Sequence, residues 1–323
     1  MKKALKWIGI VVSIPFVFII IWLLANIAPD IPIEAMKAKY ANAASQFVAI
    51  GGINVHFRDE KSMTVKDTIP LVLIHGTGAS LHTWEGWVRE LKSDFRIISL
   101  DLPAYGLTGP NATNSYPTGY YVQIVRELLD KRGVKKCYIA GNSLGGAVAW
   151  QYALKYPQMV SRLILVDASG YPMAKPKSVP IGFTLARTPV LKEIFKYVMP
   201  RALVESSLKN VFADDSKVTA AAIERNRDMV LRTGNREAFV ARMNTPNNEK
   251  EALWPKIPII TIPVLIQWGK EDNLITTEVA QRFHRDLPND TLIVYDNAGH
   301  IPMEESPVET ARDVRRFLKA NRN

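Results

Sequence analysis

The sequence predicts an α/β fold, with a mostly parallel sheet, helices on both faces and an inserted helical cap. Short apolar runs without alternation recur along the chain, as in strands that are buried on both faces. Helical patterns separate these runs, and this order favours a doubly wound parallel sheet. This alternation of strand and helix patterns stops between about Tyr171 and Leu253. The patterns there are mostly helical and indicate the cap.

The elements follow one another in a regular order. A hairpin with a Gly51-Gly52 turn is predicted first, from Phe47–Ile50 and Ile53–Phe57. The predicted buried strands are Pro70–Ile74, Arg96–Leu100, Cys137–Ala140, Leu163–Val166, Val264–Ile266 and Leu292–Val294. The predicted core helices are Trp84–Leu91, Tyr120–Leu129, Ala147–Tyr156, Thr277–Leu287 and Val308–Leu318.

Composition excludes several classes of protein. The chain has 323 residues, of which 47% are hydrophobic and 22% charged, so it is not disordered. Its net charge of +10 comes from scattered basic residues, not from a dense stripe with aromatics, so no nucleic-acid partner is expected. Cys137 is the only cysteine, which excludes an intramolecular disulfide and a cysteine-based metal site. We expect it to be a small buried core residue.

The N-terminal segment predicts a membrane anchor. No residue from Trp7 to Ala28 is charged, and as a helix this stretch would span about 33 Å. Lysines at positions 2, 3 and 6 precede it, which predicts a cytoplasmic N-terminus and places the rest of the chain outside the cytoplasm. The alternative is a cleaved signal peptide and a secreted protein, although Asn26 stands where cleavage after Ala28 needs a small residue.

The predicted organisation has five parts. Residues 1–28 form the transmembrane anchor and residues 29–45, which contain Pro29 and Pro32, a linker. Residues 46–170 form the first part of the core, residues 171–254 the cap and residues 255–323 the second part of the core.

The strongest chemical signal is the run Gly141-Asn142-Ser143-Leu144-Gly145-Gly146, between a predicted strand and a predicted helix. A Gly-x-Ser-x-Gly run in this context is a nucleophile elbow. The tight turn exposes Ser143, and the helix start offers backbone N–H groups to a developing oxyanion. The sequence therefore predicts Ser143 as a nucleophile.

A serine hydroxyl needs a base to take its proton. Of the five histidines, His300 is the candidate, because it lies in a loop just after the last predicted strand and can reach the elbow. Asp272, which follows the strand ending at Trp268, is the expected partner that orients the imidazole. Asp167, after an earlier strand, and Glu271 are its rivals. The order Ser143, Asp272, His300 is the order expected for such a site.

The run His75-Gly76-Thr77-Gly78 ends the strand before the first core helix. Its backbone is expected to supply one oxyanion donor, the N–H of Thr77, with the N–H of Leu144 supplying the other. We expect His75 to make structural hydrogen bonds and to take no part in acid–base chemistry.

Together these motifs resemble the α/β-hydrolase superfamily over nearly all of residues 45–320. The segment Asp101–Gly106 is similar to that family's strand-end loop, although Ala104 stands where glycine is commoner. Within the superfamily the chain looks most like capped bacterial lipases and carboxylesterases with an N-terminal anchor. Serine at position 143 argues against dehalogenases and epoxide hydrolases, which use aspartate there.

The sequence thus predicts a serine esterase or lipase that forms an acyl-enzyme on a moderately apolar ester, without a metal or organic cofactor. The same triad could instead act on another bond, as in a ring-cleavage-product C–C hydrolase, a lactonase, an amidase or a perhydrolase. Four cap arginines leave room for a dienoate acid: Arg187, Arg201, Arg225 and Arg227. A non-catalytic binding protein on this fold is a third hypothesis. The oligomeric state is not predicted.

Overall fold

Eight strands form one sheet in the computed structural model, which describes residues 15–62, 69–172, 176–245 and 253–320. The strand order across the sheet is β1-β2-β4-β3-β5-β6-β7-β8. The strands are β1 Ser45–Ile50, β2 Ile53–Glu60, β3 Leu71–Ile74, β4 Ile97–Leu100, β5 Cys137–Asn142, β6 Val160–Val166, β7 Val264–Gly269 and β8 Asp290–Tyr295.

The sheet is parallel from β4 to β8, and only the hairpin strands introduce antiparallel pairing. β1 and β2 form the antiparallel hairpin, and β2 pairs antiparallel with β4. Every residue of β3, β4, β5 and β7 is buried, which explains their continuous apolar sequences. The last strand differs from the prediction, because β8 lies at the sheet edge and Val294 is 38% exposed.

Helices cover both faces of the sheet. On one face, α3 and α13 pack over the cluster that contains Trp87, Leu91 and Val314. On the other face, α4, α5 and α11 bury residues such as Val125 and Phe283. The helices are α1 (residues 15–25), α2 Ile33–Tyr40, α3 Glu85–Leu91, α4 Thr118–Lys131, α5 Leu144–Lys155, α6 Ile181–Arg187, α7 Leu191–Phe195, α8 Arg201–Lys209, α9 Ala220–Leu231, α10 Asn235–Met243, α11 Thr277–Asp286, α12 Pro302–Glu305 and α13 Pro307–Lys319.

The segment between β6 and β7 contains helices α6 to α10 and no strand among its described residues. Aromatic rings hold these helices together, since Phe239 packs at 5.8 Å from Phe183 and 5.7 Å from Phe195, measured between ring centroids. These helices lie within the range 171–254 that the sequence predicts as a cap.

The predicted anchor, Trp7–Ala28, differs from what the structure describes. Its part before residue 15 lies outside the described residues. The helix α1 stops at residue 25, because the chain then pairs with the cap: Ala28 N–H donates to the Tyr197 carbonyl at 2.9 Å and Met199 N–H to the Asn26 carbonyl at 3.1 Å. Among the described residues, no helix combines the length and the apolar character that crossing a membrane requires.

The following segment also joins the cap, and it is not a simple linker. Ile31 exchanges backbone hydrogen bonds with Leu231 and Thr233, and Asp30 pairs with Arg236 at 2.5 Å. Within the predicted linker, 29–45, helix α2 buries Met36 in a small cluster with Leu107 and Met229. The alanine-rich composition of this stretch is compatible with helix, and the buried Met36 gives that helix a tertiary contact.

Candidate active site

Ser143 lies at a sharp turn between β5 and α5. Its φ of 53° and ψ of −117° place a non-glycine residue in a strained conformation. Its N–H donates to Val166 on the neighbouring strand, and its carbonyl accepts from Ala147 and Ser169. These bonds hold the strained turn in place, so that Ser143 is fixed relative to the sheet.

Two glycines are required by how closely the backbone packs at this turn. A Cβ at Gly141 would lie 2.1 Å from the Gly145 carbonyl oxygen, and a Cβ at Gly145 would lie 2.1 Å from the Ile74 carbonyl oxygen. Both obstacles are backbone atoms, which cannot rotate away. The Gly-x-Ser-x-Gly spacing is therefore explained by packing of the elbow against itself and against β3.

His300 and Asp272 form a buried pair beside this elbow. His300 Nδ1 lies 2.7 Å from Asp272 Oδ2, and both side chains are at most 5% exposed. The other carboxylate oxygen, Oδ1, accepts the backbone N–H groups of Leu274 and Ile275 at 2.8 and 2.9 Å. Asp272 is thus oriented by its own loop and can fix the imidazole with Nε2 turned away from it.

Ser143 and His300 line the same cavity of about 140 Å³. The described residues include no hydrogen bond between the Ser143 hydroxyl and the imidazole, although such bonds are often long before substrate binds. Asn142 links the two loops, since its Nδ2 donates to both the Val166 and the His300 carbonyls. The structure therefore brings together the three predicted residues on one rigid frame.

The predicted oxyanion donors are both near Ser143. Thr77 lines the cavity in the loop that follows β3, and Leu144 is the first residue of α5, so its N–H has no intrahelical partner. His75 faces away: its Nδ1 lies 2.7 Å from the Gly76 carbonyl and its Nε2 accepts the Leu102 N–H. Burial lowers the pKa of His75, so it is neutral and structural, as expected.

The rivals for the acid take different positions. Asp167 follows β6 and is completely buried, with a φ of 43°. Its Oδ1 accepts the Gly269 N–H at 2.9 Å, and burial together with the nearby Asp272 raises its pKa well above the usual range. Glu271 is exposed, and its backbone N–H donates to the Ala298 carbonyl. Of the three acids, only Asp272 is hydrogen-bonded to His300.

Asp167, Asp272 and His300 form a group of three candidate metal ligands in the described part of the chain. One ligand atom each from Asp167, Asp272 and His300 lies within 4.8 Å of the others. However, His300 Nδ1 and the facing oxygen of Asp272 are hydrogen-bonded to each other, and the second oxygen of Asp272 accepts two N–H groups. A metal at this position would have to break that pairing, so the arrangement fits acid–base chemistry better.

Glu305 lies next to this site and was not singled out from the sequence. Its carboxylate accepts the backbone N–H groups of Gly299, Ala213 and Asp214. The first belongs to the loop of His300 and the other two to the cap, and the His300 N–H also donates to the cap carbonyl of Val211. Glu305 therefore fastens the loop of the base to the cap. Its position five residues after His300 was the available signal.

The wall of the cavity is mostly apolar and contains no lysine or arginine among the described residues. Its apolar cap side includes Phe183, Phe195, Met199, Leu203, Val204, Leu208 and Phe239. The four cap arginines considered for a dienoate acid lie elsewhere. Arg187 and Arg227 donate to the Met243 and Met199 carbonyls, Arg225 faces Glu85 at 3.6 Å, and Arg201 is exposed.

Comparisons with known proteins agree with this geometry. The family model described as the alpha/beta hydrolase fold matches residues 69–307. Lipase 3 of Moraxella sp. (strain TA144) is 31% identical over 258 residues, which cover 77% of this chain and 76% of that lipase. A 2-hydroxy-6-oxononadienedioate/2-hydroxy-6-oxononatrienedioate hydrolase of Paraburkholderia phymatum is 26% identical over 280 residues, covering 83% of this chain and 90% of the relative.

Solved structures share the fold. The crystal structure of a membrane phospholipase A, a novel bacterial virulence factor, superposes with a TM-score of 0.74 at 24% identity, and the match covers 100% of both chains. A mutant form of CumD, a meta-cleavage product hydrolase, superposes with a TM-score of 0.72 at 22% identity, covering 85% of this chain and 98% of that one.

Proposed function

Because the chain belongs to the α/β-hydrolase family, we propose that it hydrolyses carboxylic esters with Ser143 as nucleophile, His300 as base and Asp272 as the orienting acid. The proposal rests on one observation: Ser143 and His300 line the same cavity, and Asp272 is hydrogen-bonded to His300 Nδ1. The coarser statement, that the protein is a hydrolase of this family, follows from the family match and the relatives.

The reaction proceeds in two halves. Ser143 Oγ attacks the ester carbonyl carbon while His300 Nε2 takes its proton, and the carbonyl oxygen becomes an oxyanion facing the Thr77 and Leu144 N–H groups. The C–O bond to the alcohol then breaks, and His300 returns the proton to the leaving oxygen. Water, deprotonated by His300, attacks the acyl-enzyme, which releases the acid and restores Ser143.

The absence of a cationic side chain from the described cavity wall is the observation that favours neutral esters. A dienoate acid carries negative charge, and burying it without a partner cation is costly. The cap arginines that left room for such a substrate are bound or exposed elsewhere. The apolar cap side instead suits an acyl chain, whose burial is favourable by about 0.8 kcal/mol for each CH₂.

A second candidate keeps the same residues and changes the bond, as in a C–C hydrolase. It is supported by the relative from Paraburkholderia phymatum, whose name specifies such a substrate. Lactone, amide and peroxide chemistry use the same nucleophile and also remain candidates. A non-catalytic role is the third, and it predicts that Ser143 does not react with a fluorophosphonate probe.

The test is a substrate panel on the full-length chain. We expect p-nitrophenyl esters of increasing acyl length to be cleaved, with little turnover of vinylogous keto-acids. The Ser143→Ala variant is the control for both. A preference for the keto-acids would replace the esterase proposal with the second candidate, and no labelling by fluorophosphonate would favour the third.

Location is a separate proposal that rests mainly on the sequence. We propose that residues 7–28 are retained as an anchor, with the N-terminus in the cytoplasm and the hydrolase outside it. The uncharged stretch after three lysines supports this, as does the exposure of Phe16, Phe18 and Trp22 on α1. N-terminal sequencing of the native protein decides: a start near Asn26 or Pro29 would mean a cleaved signal peptide and a secreted enzyme.

A further inference from the structure

Glu304 is the only carboxylate among the described residues that line the cavity. It lies in α12, four residues after His300, and its N–H donates to the Ile301 carbonyl. A partly buried carboxylate in this mostly apolar wall contributes nothing to stability, because removing such a group from water is costly. This acid is therefore a candidate for recognising part of a substrate.

One carboxylate oxygen of Glu304 accepts a hydrogen bond from a described residue, and the other accepts none. The Thr83 hydroxyl donates to Oε1, and Thr83 also lines the cavity, from the short helical turn Leu81–Trp84. Within the described residues, Oε2 accepts no hydrogen bond from the protein. Thr83 thus holds one oxygen of the carboxyl group and leaves the second oxygen available as an acceptor.

The charges around Glu304 define what it can accept. Burial and the neighbouring Glu85 and Glu305 raise its pKa, whereas the Thr83 hydrogen bond and Arg225 lower it. Arg225 is itself paired with Glu85, so it cannot serve as a site for an anion. A ligand group at Oε2 must therefore donate a hydrogen bond, as a hydroxyl or an ammonium group does, whereas a carboxylate would be repelled.

The position of Glu304 indicates which part of the ester it contacts. His300 protonates the leaving alcohol, so that alcohol must lie next to His300, and Glu304 follows His300 on the same segment. The acyl chain can then lie against the apolar cap residues of the same cavity, such as Phe183 and Phe239. Taken together, and resting on the proposed esterase function, we infer that Glu304 and Thr83 form a subsite that binds a hydroxyl group of the leaving alcohol.

The preferred substrates are therefore esters of alcohols that keep a free hydroxyl near the ester, such as monoesters of polyols. The test uses three octanoate esters with the same acyl chain: 1-glyceryl octanoate with free hydroxyls, propyl octanoate without them, and the octanoate ester of glycolate with a carboxylate. We expect the full-length enzyme to rank them in that order by kcat/KM.

The Glu304→Leu variant should lower the ratio of kcat/KM for glyceryl over propyl octanoate by about tenfold, because the lost hydrogen bond involves a charged acceptor. Glu304→Gln should raise the relative rate on the glycolate ester by removing the negative charge. Asn226→Leu is the matched control. Its amide lines the same cavity but donates to Ala222 in its own helix, so the ratio should not change.

A ratio that stays constant in Glu304→Leu would overturn the subsite, as would an equal fall in Asn226→Leu. Binding of ether analogues separates this failure from a failure of the esterase proposal. 1-O-octylglycerol should bind the wild-type protein more tightly than octyl propyl ether, and Glu304→Leu should remove the difference, whether or not any ester is cleaved. Equal binding of the two ethers to the wild type would also refute the subsite.

Discussion

Asp167 and Asp272 are two buried carboxyl groups at the ends of neighbouring parallel strands, and a carboxyl oxygen of each lies within 4.8 Å of the other. Both oxygens of Asp272 are used, by His300, Leu274 and Ile275, whereas Oδ2 of Asp167 receives no N–H or O–H donor from the described residues. Two carboxylates this close in a dry interior cannot both ionise. Asp167 is the protonated partner, as the direction of its pKa also indicates.

Different consequences follow for the two aspartates when each is replaced by asparagine. Asp272→Asn should lower turnover by about 10⁴, by analogy with the acid of a serine protease, because the amide no longer stabilises the required imidazole tautomer. Asp167→Asn should cost less than about tenfold, since an amide has the same charge as a protonated carboxyl. Steady-state kinetics on a p-nitrophenyl ester measure both. The reverse ranking would assign the acid to β6.

Stability should depend on pH through Asp167. Its folded pKa is raised, so between the unfolded value of 3.8 and the folded one the native state binds the extra proton. Unfolding free energy then falls as pH rises across that window, by up to about 1.4 kcal/mol for each pH unit. Asp167→Asn should remove this slope and raise Tm at neutral pH, with little difference below about pH 4. Thermal unfolding across the acidic to neutral range tests this, and parallel curves for the two proteins would contradict it.

Replacing the nucleophile should abolish turnover. Ser143→Ala is expected to lower kcat on the order of 10⁶, by analogy with subtilisin, and to leave the fold intact. Ser207→Ala is the control, because Ser207 lines the same cavity but donates to the Leu203 carbonyl of its own helix. More than a few per cent residual activity in a clean preparation of Ser143→Ala would refute the mechanism.

Glu305 should matter for both stability and activity. Glu305→Ala leaves three backbone N–H groups without their acceptor, which should cost about 2–4 kcal/mol. Hydrogen exchange should then increase at Gly299 and Ala213, and kcat should fall because the His300 loop is no longer fastened. Glu309→Ala, on the exposed side of α13, is the control. Unchanged exchange at Gly299 would show that the loop is held without Glu305.

Patterns repeated in the chain made most of the fold predictable. Strand β3 begins one residue after its predicted start, and helix α13 extends the predicted Val308–Leu318 by one residue at each end, because periodicity and burial coincide there. The tight turn at Ser143 was predictable, because such a turn requires glycines at fixed positions around the serine. Helix α2 was missed because Met36 packs on residues that are distant in the sequence. Glu304 was missed because no local sequence signal shows that a carboxylate lines a cavity.

The contacts of residues 26–31 make the cap and the N-terminal helix one mechanical unit. The pairing of Ile27 with Val198 and of Ile31 with Arg232 attaches this segment to two separate points of the cap. Met199, the neighbour of Val198, lines the cavity, so this pairing connects the end of α1 to the cavity wall. A chain shortened to begin at Pro29 would lose the hydrogen bond from Ala28 to Tyr197 and keep the pairing of Ile31 with Arg232, so only one of the two attachments to the cap would remain.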